Sequence, residues 1–130
     1  MMGIRLTVLV LSGWLLTAVS GRAMDRWTAL SMIESGNNDC AVGACGEISR
    51  FQIRPAFWPG GNPFNSRDAL AAARQIMRSR IAQFERTHHR APDNFEFYVL
   101  WNAPWQVDHP SRTVAERAQR FVNLVEAAHA

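Results

Sequence analysis

Glu34 is the first residue in this sequence placed to do acid–base chemistry. It follows Trp27, Leu30 and Ile33 at helical spacing and is followed at once by Ser35 and Gly36. The turn formers Gly36, Asn37, Asn38 and Asp39 predict that the helix stops there. The C-terminal end of a helix carries partial negative charge, which favours a protonated carboxyl. Apolar neighbours push the same way by desolvating the charged form. A carboxyl kept protonated near neutral pH can give its proton to a leaving oxygen, as glycosidic cleavage requires. A solvated surface glutamate is the plainer reading of such a position when it is taken alone.

The other reactive side chains are fewer. Glu47 lies further along the same loop, with Asp39 nearby. Glu47 could serve as a second carboxylate, stabilising a cation or positioning water. It could equally pair with Arg50 or Arg54. Cys40 and Cys45 are close enough in sequence to form a disulfide in an oxidising compartment, with two free thiols as the alternative. A single Cys pair lacks the partners of a zinc site, and His88, His89 and His109 share no ligand spacing. No metal and no organic cofactor is indicated. Phe51, Phe57 and Trp58 read as core, whereas Trp105 is the aromatic expected in a cleft.

The elements that must position these residues are helical. A first helix is expected from about Asp25 to Ser35. A Gly-punctuated stretch from Cys40 to Arg54 follows, containing Ile48–Ile53 as a short strand, and Pro55 could start a turn of helix through Phe57 and Trp58. A second helix should begin near Ser66 as N-cap and run to about Thr87, with Leu70, Ala73, Met77, Ile81 and Phe84 as its buried stripe. Pro92 opens a third, apolar almost all round from Phe95 to Trp101. The last follows Pro110 and Ser111, with Val114, Ala118, Phe121, Val125 and Ala128 on one face.

Several segments taken together are similar to a known family. Glu34-Ser35-Gly36-x-Asn38, then Ala41-Val42, Gly46 and Gln52-Ile53-x-Pro55, resemble the soluble lytic transglycosylase domain, which shares the goose-type lysozyme fold. Trp101-Asn102-Ala103 stands where that family has Tyr-Asn-Ala-Gly, and Phe121-Val122-Asn123-Leu124-Val125 resembles its closing Tyr-Val-x-x-Val. The resemblance runs from about residue 27 to 125. It implies that Glu34 is the general acid and later the base, and that Ser35 orients Glu34 or the sugar. It also implies that Gln52 and Asn102 bind the glycan. Trp101 departs from a tyrosine whose hydroxyl helps hold the acid, and Tyr98, one turn earlier, is a candidate to supply that hydroxyl. Pro104 replaces the glycine, and Ser49-Arg50-Phe51 replaces Gly-Leu-Met. Lytic transglycosylases need no second carboxylate, so Glu47 bears on whether the outcome is transglycosylation or hydrolysis.

The fold expected is mainly α, of the α+β lysozyme-like class: a compact helical domain with a small irregular or β lobe after the first helix. Residues 1–23 read as a signal peptide, with Arg5 in a short basic region, an apolar run from Leu6 to Val19, and small residues at Ser20, Gly21 and Ala23. That run is short for a membrane span. Residues 24–130 are then one exported domain, periplasmic or secreted, with no stable membrane insertion after cleavage. The formal charge of +3 comes from 14 basic and 11 acidic side chains, and Arg5 and Arg22 leave with the leader. The remainder is close to neutral, which argues against nucleic acid as a partner. The partner implied is the glycan strand of peptidoglycan, met by a monomer. A non-catalytic wall-binding or secretion accessory with the same fold is the rival reading.

Overall fold

The structure, a computed structural model, describes residues 23–127. The leader expected at residues 1–23 lies outside these apart from Ala23, as does Ala128 of the last apolar face. Among the described residues the order is α1 (Arg26–Ser35), a 3₁₀ turn (Pro55–Phe57), α2 (Ser66–His88), α3 (Asn94–Asn102), a second 3₁₀ turn (Pro104–Gln106) and α4 (Arg112–Glu126). No helix among them is long and apolar enough to cross a membrane.

Each helix starts on a side-chain cap that ties up backbone N–H groups otherwise left without partners. Asp25 accepts from the N–H groups of Trp27 and Thr28, at 3.0 and 3.1 Å. Asn65, one residue before the expected Ser66, accepts from Arg67 and Asp68. Asp93 and Glu96 form a reciprocal capping box on α3, and Ser111 caps α4. Gly36 closes α1 in the left-handed conformation (φ 66°), which glycine adopts without a Cβ penalty.

The core gathers Leu30 of α1, Met77 and Phe84 of α2, Phe97–Leu100 of α3 and Phe121 of α4. Its centre is aromatic. Phe97 stacks on Phe121 at 5.7 Å between centroids, Tyr98 tilts against Phe121 at 5.6 Å, and Trp27 meets Phe97 edge-on at 5.4 Å. The α2 stripe is rotated slightly from the expected one. Ala69, Ala72, Ala73, Met77 and Phe84 are buried, whereas Leu70 and Ile81 are only partly covered.

The architecture is mainly helical, but the β part of the expected lobe is not formed. Between α1 and the first 3₁₀ turn there are only two isolated antiparallel bridges, Val42 with Ile48 and Ile48 with Ile53. The expected strand Ile48–Ile53 instead folds back on itself. Ile48 and Ile53 exchange both backbone hydrogen bonds, at 2.9 and 2.8 Å. Ser49 and Gln52 take positive φ (74° and 52°), which no extended strand tolerates. The segment expected as a strand is therefore a tight turn whose ends meet. Phe51, at its tip, plugs the lobe into the core between Trp27 and Trp101.

Candidate active site

Glu34 occupies the last turn of α1, its side chain only 11% exposed. Two groups reach the same oxygen. The Tyr98 hydroxyl donates to Oε1 at 3.0 Å, and Nη2 of Arg117 lies 3.6 Å from it. Asn102 donates in turn to the Tyr98 hydroxyl at 3.1 Å, so Asn102, Tyr98 and Glu34 form one chain. Burial raises the affinity of Glu34 for its proton, and the nearby charge of Glu47 adds to this. The Arg117 charge and the Tyr98 hydrogen bond oppose it, and burial prevails. Tyr98, buried beside this carboxylate, is pushed up to about 12 and stays a proton donor.

The acid opens onto a groove of about 530 Å³ between the loop lobe and the helical body. The lobe contributes Gly43, Ala44, Glu47, Gln52, Ile53, Arg54 and Phe57; the body contributes Ile76, Arg80, Trp101, Asn102, Pro104, Trp105 and Arg117. The side chains of Gln52 and Glu47 both lie against Gly43, where a Cβ would collide with each. Gln52 holds its left-handed backbone with its amide nitrogen donating to the Ser49 carbonyl at 2.9 Å. Non-glycine residues held in that region gather at functional sites, where surrounding contacts over-determine them.

The expected residues differ in where the fold puts them. Glu34, Glu47, Gln52, Trp101 and Asn102 all line the groove, and Tyr98 touches the acid from beneath. Glu47 does not pair with Arg50, which binds Asp39 at 2.9 Å; its carboxylate accepts from the Cys45 N–H at 3.1 Å instead. Ser35 is not among the groove residues. Its hydroxyl donates to the Arg50 carbonyl at 2.7 Å and accepts from the Asn38 N–H at 3.1 Å, tying the end of α1 to the lobe. The expected Cys40–Cys45 disulfide is not made: both thiols are exposed and free. Backbone bonds from Gly43 to Glu47 and from Gly46 to Gly43 close that loop without it. Phe57, expected in the core, is 56% exposed at the groove, because the 3₁₀ turn begun by Pro55 carries it outward.

Two arginines went unread in the sequence. Arg117 stands three residues after Val114 and four before Phe121, inside the apolar face of α4. A charge at that spacing was the available signal. Arg80 donates to the carbonyls of Leu100 and Trp101 at 2.9 and 2.7 Å, capping α3 where Trp101 and Asn102 enter the groove. Its signal was weaker, since α2 carries arginines along most of its length.

The arrangement can protonate a leaving oxygen from Glu34 and meet polar substituents with the amides of Gln52 and Asn102. Among the described residues no group of three His, Cys, Asp or Glu side chains is placed to hold a metal. Set against family models, curated proteins and solved structures, the chain gave no match.

Proposed function

We propose that this chain is an exported peptidoglycan-cleaving enzyme of lysozyme-like fold. It acts on the glycosidic bond between MurNAc and GlcNAc as a lytic transglycosylase. The observation that carries the reading is Glu34: a buried carboxyl biased toward its protonated form, hydrogen-bonded by Tyr98, at a groove that also holds Gln52 and Asn102. Glu34 would give its proton to the bridging oxygen as the bond to the muramyl C1 breaks. It would then take the proton of the muramyl hydroxyl that attacks C1, closing an anhydro ring. The sequence motifs and the leader support the family and the export; the order Asn102, Tyr98, Glu34 supports the acid.

Glu34→Gln tests the reading. Release of soluble fragments from purified cell wall should fall by about 10²–10⁴-fold, the contribution of a general acid. The variant should melt no lower than wild type at pH 7. A carboxyl whose affinity for its proton is raised by burial adds its full stability below its ordinary value of 4.5. That contribution is lost as pH rises through the higher folded value, and glutamine loses nothing. A wild-type protein that releases no fragments would instead favour a wall-binding accessory.

A second reading, lysozyme-type hydrolysis, is favoured by Glu47, which lines the same groove and whose charge reaches Glu34. Mass spectrometry separates the two, since anhydro-muramyl ends mark transglycosylation and reducing ends mark hydrolysis. Glu47→Gln should leave the rate nearly unchanged in the first case and lower it about as far as Glu34→Gln in the second.

A further inference from the structure

Five large apolar side chains are exposed among the described residues: Met32, Val42, Phe57, Phe64 and Trp105. Only Phe57 and Trp105 of these line the groove, at 56% and 80% exposure. They come from opposite walls, Phe57 from the lobe and Trp105 from the body.

The two are presented in the same way. Each sits in a three-residue 3₁₀ turn that begins with a proline, Pro55 or Pro104. Proline presets the backbone of such a turn. The first turn is closed by the Phe57 N–H on the Arg54 carbonyl at 2.9 Å. The second is closed by the Gln106 N–H on the Ala103 carbonyl at 2.8 Å, and the Gln106 side chain accepts from the Ser111 N–H at 2.8 Å. Fixed backbones therefore hold large rings in water beside a polar groove. A binding partner that covers a ring gains the apolar burial the fold leaves unused, without the cost of ordering a loop.

We propose that Phe57 and Trp105 are the stacking platforms of this groove, each taking the C–H face of one N-acetylhexosamine ring of a glycan held across Glu34. A pyranose suits this surface because its ring face is apolar while its rim is polar. The rim hydroxyl and acetamido groups would meet Gln52 and Asn102. Both aromatics thereby become specificity-determining residues, selecting a chain of linked rings over a single sugar, because one ring covers only one platform. The inference rests on the part of the reading above that makes this groove a glycan site, and not on cleavage.

The test uses the leaderless protein carrying Glu34→Gln, so that ligand is bound and not consumed, titrated with the hexamer of N-acetylglucosamine. Tryptophan fluorescence should change on binding, and that change should shrink with Trp105→Ala to the share of Trp101, which lines the same groove. Calorimetry should show about a tenfold loss of affinity for Trp105→Ala and for Phe57→Ala, with Trp105→Phe restoring most of it. Affinities within about twofold of the parent for both alanine variants would overturn the inference, as would no binding by the parent. The two readings fail separately. Wild-type protein that cleaves walls while both alanine variants bind like the parent removes the platforms alone. Platforms that bind in a wild-type protein unable to cleave walls leave this inference standing and remove the enzyme.

Discussion

Helices α3 and α4 hold their places by burying Phe97, Tyr98 and Phe121 in mutual ring contact, each nearly or fully removed from solvent. The lobe across the groove, residues 36–57, is built otherwise. It buries Phe51 and Ile53, and the rest is held by hydrogen bonds: Ser35 to the Arg50 carbonyl, the Arg50 guanidinium to the Asn37 carbonyl, and Ser31 to the Asn37 side chain. It also keeps Asn37, Ser49 and Gln52 in left-handed backbone. The division matches what each wall contributes. Burial raises the affinity of a carboxyl for its proton by excluding water from the charged form, and the packed body provides most of that effect around Glu34. Amide and carboxylate groups that meet a ligand need access to it, which a loop provides more readily than a core.

The largest effect expected from this contrast is on the body. Phe121→Ala should cost about 3–5 kcal/mol, the range for deleting a buried ring, and should lower the melting of the whole molecule in one transition. Calorimetry checks it. A smaller loss, or a separate transition for α4, would mean that the stacked aromatics are not the common support of the helices.

Ser35→Ala should cost about 1–3 kcal/mol, because the Asn38 N–H and the Arg50 carbonyl lose their partner together. The loss should stay local. Amide hydrogen exchange should quicken between Ile48 and Ile53 and leave α4 unchanged. Faster exchange spreading into α4 would break the distinction between lobe and body.

Glu96→Ala, at the exposed end of α3, should cost about 1 kcal/mol through the lost capping box. Arg90, at 2.7 Å, is the main reason that Glu96 is lowered to about 2. A depressed carboxyl contributes stability above its ordinary value of 4.5 and loses it as pH falls toward 2. The difference between wild type and Glu96→Ala should therefore close over that window in acid melts. A constant difference would assign the effect to helix propensity instead.

The smallest change in free energy is the most specific one. Arg117 and Tyr98 both lower the proton affinity of Glu34, Arg117 more strongly. In the proposed wall-cleaving reaction, removing either should shift the alkaline limb of the rate to higher pH, since the acid then keeps its proton longer. Arg117→Met should shift it further than Tyr98→Phe. A limb that stays in place in both variants would show that Glu34 is not the group it reports.

Much of this was legible from one dimension. The four helices follow from apolar spacing, with a cap expected at Ser66 and found one residue earlier at Asn65, and the turn after α1 follows from Gly36 to Asp39. Glu34, Gln52 and Asn102 were readable as one set only through the resemblance of their motifs to the lytic transglycosylase family, and Tyr98 because it lies one turn before Trp101, where that family has a tyrosine. These signals are local, and local sequence sets caps, turns and faces. Only the tertiary structure decided that Ile48–Ile53 closes on itself, since positive φ at Ser49 and Gln52 carries no compositional mark in those residues. It also decided that Ser35 braces the lobe, that Phe57 faces the groove and that Arg117 reaches the acid. Each of these depends on which distant segment packs opposite, and the raised proton affinity of Glu34 depends on how much water that packing removes.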